Sequence, residues 1–161
     1  MNLQKLFTMQ QQLDAFIEET QQITKDVFRE KGLALLVELG ELANETRCFK
    51  FWSTKGPSGR SVILEEFVDS IHFLLSLGIM KGFDDLKEWP ISNRDGDLTD
   101  LFIQTEGAVL NFILKPERAQ YEEAWILYGA LANALDFTAE DIVRAYVSKN
   151  EKNYERQRNG Y

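Results

Sequence analysis

The chain has 161 residues, of which 44% are hydrophobic and 12% aromatic, so it is long enough to bury the core of about one domain. This composition excludes a disordered, collagen-like or disulfide-stapled chain. Its 18 basic and 26 acidic residues give a net charge of −8, which argues against nucleic acid or an anionic membrane as a partner. The single cysteine, Cys48, cannot form an internal disulfide, and no signal-peptide pattern opens the sequence, so we expect a cytoplasmic protein.

Helical periodicity runs through most of the chain, with glycine and proline marking the links between periodic segments. Thr138 and Asp141 form a capping-box pattern at the start of the last segment. After Tyr146 that segment is polar, so we expect its end to have little core to join and to become ordered only around a ligand. The pattern predicts an all-α bundle of about six helices in a single domain over residues 1–161, with helices at residues 3–17, 33–49, 61–80, 98–114 and 119–135 and from 138 onward.

Acidic residues form a narrow stripe on the second predicted helix. Glu38, Glu41 and Glu45 fall within a sector about 60° wide, and apolar residues occupy almost all the rest. Between residues 32 and 46 there is no lysine or arginine. Because a helix that is apolar on nearly every side is buried, we expect these carboxylates to face a cleft.

The third predicted helix repeats this spacing with Glu66 and Asp69, while Glu65 shares a face with Asp69 and could replace Glu66. Carboxylates brought together raise one another's pKa unless a cation binds them, and such hard oxygen ligands suit Mg²⁺ or Mn²⁺. The alternative is a pair of solvated acidic faces, but those usually carry interspersed basic residues. We therefore favour a metal site made by Glu38, Glu41, Glu66 and Asp69.

The sequence gives less support to other sets of catalytic residues. A ferritin-like di-iron centre needs two Glu-x-x-His motifs, whereas the chain has one histidine. A nucleophilic pair of Cys48 and His72 is disfavoured, because a lone cysteine beside aromatic residues is more commonly a small core residue. Several basic residues near helix ends could meet a phosphate, although exposed cations there need no function. These are Lys50, Lys55, Arg60, Lys149, Lys152, Arg156 and Arg158.

The motifs Glu38-Leu-Gly-Glu41 and Glu66-Phe-Val-Asp69 resemble the signature of the all-α nucleoside triphosphate pyrophosphohydrolases, the superfamily of MazG-like enzymes and dimeric dUTPases. The finer resemblance is to the dimeric dUTPases and extends from about Leu3 to the last residue. It rests on further segments in chain order, namely residues 9–14, 49–52 and 69–73 and the residues Lys149, Asn150, Asn153, Arg156, Gln157, Gly160 and Tyr161.

This resemblance implies a metal-dependent enzyme that hydrolyses dUTP, and dUDP, to dUMP by attack of water on the β-phosphorus. Glu38, Glu41, Glu66 and Asp69 would bind two or more Mg²⁺ ions, with Mn²⁺ as a substitute, and Glu38 would also orient or deprotonate the water. Pyrophosphate, or phosphate from dUDP, would be released. The implied substrate contacts are Gln10, Asp14, Lys50, Trp52, His72, Phe73, Lys149, Asn153, Arg156 and Tyr161.

The resemblance also implies a homodimer. Two alternatives remain open at this point. One is a related pyrophosphohydrolase that acts on dCTP or on a modified nucleotide, because the metal site would be shared and only the base pocket would differ. The other is a phage-encoded helical protein that binds a repressor, a role that can coexist with enzymatic activity.

Overall fold

The computed structural model describes all 161 residues and confirms the predicted all-α fold. Outside the helices, an isolated antiparallel bridge between Asn2 and Glu88 ties the N-terminus to the segment after the third helix. None of the helices combines the length and the hydropathy needed to cross a membrane. The six helices are α1 (Gln4–Thr20), α2 (Phe28–Thr46), α3 (Arg60–Met80), α4 (Leu98–Leu114), α5 (Arg118–Ala134) and α6 (Ala139–Arg158).

Helix α3 lies at the centre of the bundle and packs against α1, α2 and α6. Helix α5 reaches it through Tyr121, whose hydroxyl donates to the carbonyl of Leu74 at 2.9 Å. Gly78 permits this approach, since a Cβ there would lie 2.1 Å from the Tyr121 oxygen. Residues of all six helices join in one hydrophobic core of 31 buried side chains. The bundle therefore holds α3 rigidly along one wall of the site described below.

The start of α2 differs from the predicted helix over residues 33–49. The carboxylate of Asp26 accepts a hydrogen bond from the backbone N–H of Phe28 at 2.8 Å, and the helix begins there. Gly32 lies inside the helix, where an added Cβ would come within 2.9 Å of a side chain of α4. This glycine allows close helix packing and does not mark a boundary, so α2 includes Lys31.

The prediction that α2 is buried on nearly every side is also wrong for this chain alone. Leu33 is 63% exposed and Val37 is 52% exposed, so one stripe of α2 faces outward. The helix ends at Thr46, three residues before the predicted end, because Arg47 adopts a left-handed conformation with φ of 57°.

Helix α6 has more core contact than its polar sequence suggests. Ile142, Tyr146 and even Lys149 are buried, and the helix packs against both α1 and α3. Near its end, Gln21 at the end of α1 donates to the side chain of Gln157 at 2.7 Å. Burial ends at Asn150, however, and every later residue is exposed or half-buried, as expected for an end with little core to join. Its ordering around a ligand stays a prediction.

Candidate active site

A cleft of about 350 Å³ opens between α1, α2, α3 and α6. Most of the residues predicted for the site line this cleft, although they come from four separate helices. They are Gln10, Asp14, Glu38, Asp69, His72, Phe73, Lys149, Asn153, Arg156 and Tyr161.

One end of the cleft holds a cluster of carboxylates. Glu38 of α2 and the pair Glu66 and Asp69 of α3 each offer an oxygen, and these oxygens lie within 4.8 Å of one another. All three side chains are half-buried. Glu65 does not join them, and its carboxylate lies 3.0 Å from the ammonium of Lys149. The structure thus places Glu66, and not Glu65, beside Glu38 and Asp69.

The electrostatics of this cluster favour a cation. Burial and the charges of Asp69 and Glu41 raise the pKa of Glu38 to about 7. Burial and the same two charges raise the pKa of Glu66, and burial raises that of Asp69 against the opposing effect of Lys149. Groups that resist ionisation beside one another are stabilised by a shared divalent ion. The all-oxygen donor set therefore fits a hard divalent metal ion.

Glu41, the fourth predicted ligand, lies one turn after Glu38 and is exposed. It falls outside the group of three whose oxygens meet. Its charge nevertheless raises the pKa of both Glu38 and Glu66, so it lies beside the cluster. Within this structure it is a neighbour of the three carboxylates.

Lys149 is a buried cation at the edge of the cluster. Its side chain is 8% exposed, and its ammonium lies 2.7 Å from Asp69 and 3.0 Å from Glu65. Burial alone lowers the pKa of Lys149, but the hydrogen bonds and charges of these two carboxylates outweigh burial and raise it. The interpretation of Lys149 as an exposed helix-end cation is therefore wrong.

The other end of the cleft is a polar network centred on Gln10. Its carbonyl oxygen accepts from the Tyr146 hydroxyl at 2.8 Å and contacts Nδ1 of His72 at 2.8 Å, and its Nε2 donates to Asp14 at 2.8 Å. His72 stacks on Tyr146, with ring centroids 4.1 Å apart. This network fixes the orientation of the Gln10 amide.

The surroundings of His72 determine both its charge and the nitrogen that carries its hydrogen. Burial and the charge of Lys149 lower the pKa of His72 to about 3, so the ring is neutral near pH 7. Because Nδ1 faces the accepting oxygen of Gln10, Nδ1 carries the hydrogen. The buried Nε2 is then an acceptor, and it has no partner among the protein atoms.

Two further residues of this end were missed by sequence reasoning. Ser76 donates to Asp14 at 2.6 Å, and Lys31 donates to Ser76 at 2.8 Å while lying 3.7 Å from the carboxylates of Asp14 and Glu18. Lys31 precedes Glu38 by seven residues and so lies on the same face of α2. A correct start of α2 would have revealed it.

Lys50 and Trp52 do not line the cleft of their own chain. They follow α2 in an exposed segment, where Trp52 is 65% exposed and packs edge-on against Phe49 and Phe51. Their predicted contact with substrate has no counterpart in the geometry of the single chain.

An all-α bundle whose central helix helps to gather carboxylates in a ligand-sized cleft has the features of a helical enzyme. The family model described as dUTPase matches residues 2–161, and the chain belongs to this family of all-α dimeric dUTPases. It is accordingly a dUTP diphosphatase, as the sequence resemblance predicted. Enzymes of this kind generally use a divalent metal, which the three carboxylates suit. A comparison with curated proteins found no match.

Proposed function

We propose that residues 1–161 act as one domain of the all-α pyrophosphohydrolase superfamily that hydrolyses dUTP and dUDP to dUMP in the presence of Mg²⁺, with Mn²⁺ as a substitute. The observation that carries this proposal is that the two ends of the cleft differ in their chemistry. Asp69, His72 and Ser76 lie on successive turns of α3, so along the helix the polar network extends from about 5 Å to about 10 Å beyond the acidic cluster. That spacing suits a nucleotide with its phosphates at the acidic end and its base at the network.

The network supports recognition of a uracil edge. The carbonyl of Gln10 is occupied by Tyr146 and His72, which leaves one hydrogen of its amide nitrogen for a ligand. This donor lies beside the carboxylate of Asp14, an acceptor, and uracil presents a carbonyl next to its N3–H. Phe73 lines the same part of the cleft, and Nε2 of His72 would accept from a ligand hydroxyl or N–H.

The acidic end supports hydrolysis at a phosphate. Glu38, Glu66 and Asp69, with Glu41 beside them, would hold two or more Mg²⁺ ions. Bound there, the ions would withdraw charge from the phosphate oxygens and from the attacking water. Glu38 would accept a proton from that water, since its carboxylate lies within the cluster that would hold the ions.

Cationic and polar residues of α6 and the C-terminus complete the phosphate end. Lys149 and Arg156 line the cleft next to the cluster and would offset the negative charge of the departing phosphates. Asn153 and Tyr161 line the same wall and would contact the nucleotide. Attack of water at the β-phosphorus breaks its bond to the oxygen that stays with dUMP, so the oxygen from water would leave in pyrophosphate.

A nucleotide panel tests this function. We expect release of pyrophosphate from dUTP and of phosphate from dUDP with Mg²⁺, and no turnover in a chelator. Reaction in ¹⁸O-labelled water should place the label in pyrophosphate and none in dUMP. Cytosine presents its amino group and N3 in the opposite donor and acceptor order. Faster turnover of dCTP than of dUTP would therefore show that cytosine, and not uracil, is the preferred base. Label in dUMP would show that water attacks the α-phosphorus instead.

We also propose that the chain forms a homodimer through α2 and α4. Both helices expose apolar residues at helical spacing, and the two helices pack against each other, so the exposed residues extend over adjacent helices. Gly40 and Gly107 lie on the same stripes with open space above them, which allows a second copy to approach closely. The stripe residues are Leu33 and Val37 of α2 and Ile103, Leu110 and Leu114 of α4. An isologous pairing would cover both stripes at once.

The double substitution Val37→Glu and Leu110→Glu should abolish this dimer, because it introduces four carboxylates into a closed apolar interface. Sedimentation at micromolar concentration should give about twice the chain mass of 18.6 kDa for the wild type and that mass for the variant. Ile91→Glu is the matched control, since Ile91 is 88% exposed but lies between α3 and α4, off the stripe. A wild-type chain that sediments as a monomer would contradict the proposal.

A further inference from the structure

A second groove lies next to the cleft, between the N-terminal half of α3 and α6, and encloses about 470 Å³. Four cationic side chains and one carboxylate line it, and the carboxylate of Asp141 pairs with two of these cations. Asp69 also pairs with Lys149, so the four cations face three carboxylates and a surplus of one positive charge remains, although the whole chain has a net charge of −8. The charged lining residues are Arg60, Glu65, Arg144, Lys149 and Lys152. This concentration of positive charge is suited to an anion.

The groove adjoins the acidic cluster. Lys149 lines both the cleft and the groove, and its ammonium bridges Asp69 on one side and Glu65 on the other. Asp69, Glu65 and Ser61 follow one another at four-residue intervals on one face of α3, so the groove leads from the cluster to the N-terminus of α3 over about 12 Å. No side chain caps that N-terminus. Its first N–H groups therefore add to the attraction of an anion.

We propose that this groove binds the pyrophosphate formed from the β- and γ-phosphates of dUTP. The inference rests on the proposed function, in which a water oxygen bonds to the β-phosphorus. The bond from that phosphorus to the bridging oxygen then breaks, the bridging oxygen keeps the electron pair in dUMP, and a proton of the water passes to Glu38. The groove adjoins the cluster at which the anion is formed and offers it cationic side chains. Arg60 and Lys152 are each 52% exposed and can turn toward it.

The double variant Arg60→Gln and Lys152→Gln tests the groove. Calorimetric titration with sodium pyrophosphate in Mg²⁺-containing buffer should show binding at least about tenfold weaker than in the wild type, since two charge-assisted contacts are lost. The inhibition constant of pyrophosphate against dUTP hydrolysis should rise by a similar factor, while the affinity for dUMP stays unchanged. A KM that rises more for dUTP than for dUDP would further show that the terminal phosphates enter the groove before cleavage.

The matched control is Arg94→Gln with Arg118→Gln, which removes two ion-paired arginines outside the cleft and the groove. Arg60 also donates to the carbonyl of Asp136, so a second groove variant, Arg144→Gln with Lys152→Gln, leaves that bond intact. Pyrophosphate affinity equal to that of the control in both groove variants would overturn the proposal. Absence of dUTP hydrolysis by the wild type would instead refute the proposed function, because the pyrophosphate titration does not depend on turnover.

Discussion

Glu38→Gln should lower kcat for dUTP by at least about a hundredfold, or about 2.7 kcal/mol in the activation free energy. The substitution keeps the size of the side chain but removes a carboxylate of the cluster, and with it the proposed proton acceptor. KM should change less than kcat, because Glu38 lies at the phosphate end of the cleft, away from the network around Gln10. Steady-state assays with saturating Mg²⁺ measure both constants.

In chelator, the difference in stability between the same variant and the wild type should depend on pH. The pKa of Glu38 is raised in the folded chain from 4.5 to about 7, so between these values the folded state retains a proton that the unfolded state releases. The raised pKa therefore costs the wild type stability as pH increases through this window. Glu38→Gln removes that cost and should melt about 2–4 °C higher at pH 8, which corresponds to about 1 kcal/mol after allowance for solvent screening.

At pH 4 the Glu38 variant and the wild type should melt together, since Glu38 is then protonated in both states. Glu19→Gln is a suitable control, because Glu19 is exposed near the end of α1 and lines neither the cleft nor the groove. Full activity of Glu38→Gln would end its assignment as the base. An equal difference in melting temperature at both pH values would show that the pKa of Glu38 is not raised.

Lys149→Met should make the stability of the fold more dependent on a divalent cation. Lys149 hydrogen-bonds both Asp69 and Glu65 from a position that is 8% exposed, and its removal leaves Asp69 unpaired beside Glu38 and Glu66, while Glu65 keeps Lys152 as a partner. Breaking a buried pair from one side is strongly destabilising, and with Glu65 half-exposed we expect a loss of about 2–4 kcal/mol in chelator. The melting temperature should then fall by roughly 5–15 °C.

Mg²⁺ should raise the melting temperature of Lys149→Met by more than it raises that of the wild type, because the ion would replace the missing positive charge. Lys152→Met is the matched control: Lys152 is 52% exposed and lies 3.5 Å from the same Glu65, so its loss should cost less than about 1 kcal/mol. Equal melting temperatures of Lys149→Met and the wild type in chelator would show that Lys149 does not stabilise the cluster.

Local patterns in the sequence were sufficient to predict the helices. The predicted helix over residues 98–114 has the bounds of α4, and the capping box of Thr138 and Asp141 is present at the start of α6. The error at α2 came from tertiary packing, since the close approach of α4 makes Gly32 favourable inside a helix. The periodicity of the sequence shows where a glycine lies, but it does not show the neighbouring helix whose close approach requires that glycine.

The candidate site was predictable to the extent that its residues share a helix face. The pairing of Glu66 with Asp69 follows from spacing, whereas the choice between Glu65 and Glu66 depended on Lys149, which is 80 residues from Asp69 in the chain. No periodicity places Lys149 beside α3, because the angle between α3 and α6 is set by the whole core. For the same reason, sequence reasoning could not decide that Lys50 and Trp52 lie outside the cleft of their own chain.

The buried imidazole of His72, at the end of the cleft around Gln10, gives this enzyme a built-in spectroscopic probe. The chain has one histidine, so a ¹⁵N correlation spectrum of the imidazole contains the signals of His72 alone. A neutral ring with its hydrogen on Nδ1 has a nitrogen shift pattern distinct from that of the other tautomer, and it should persist to about pH 4 because the pKa lies near 3. A ligand that donates to Nε2 would shift that nitrogen and leave Nδ1 nearly unchanged. Occupancy of the end of the cleft around Gln10 is therefore observable at one residue, without mutation and independently of events at the phosphates.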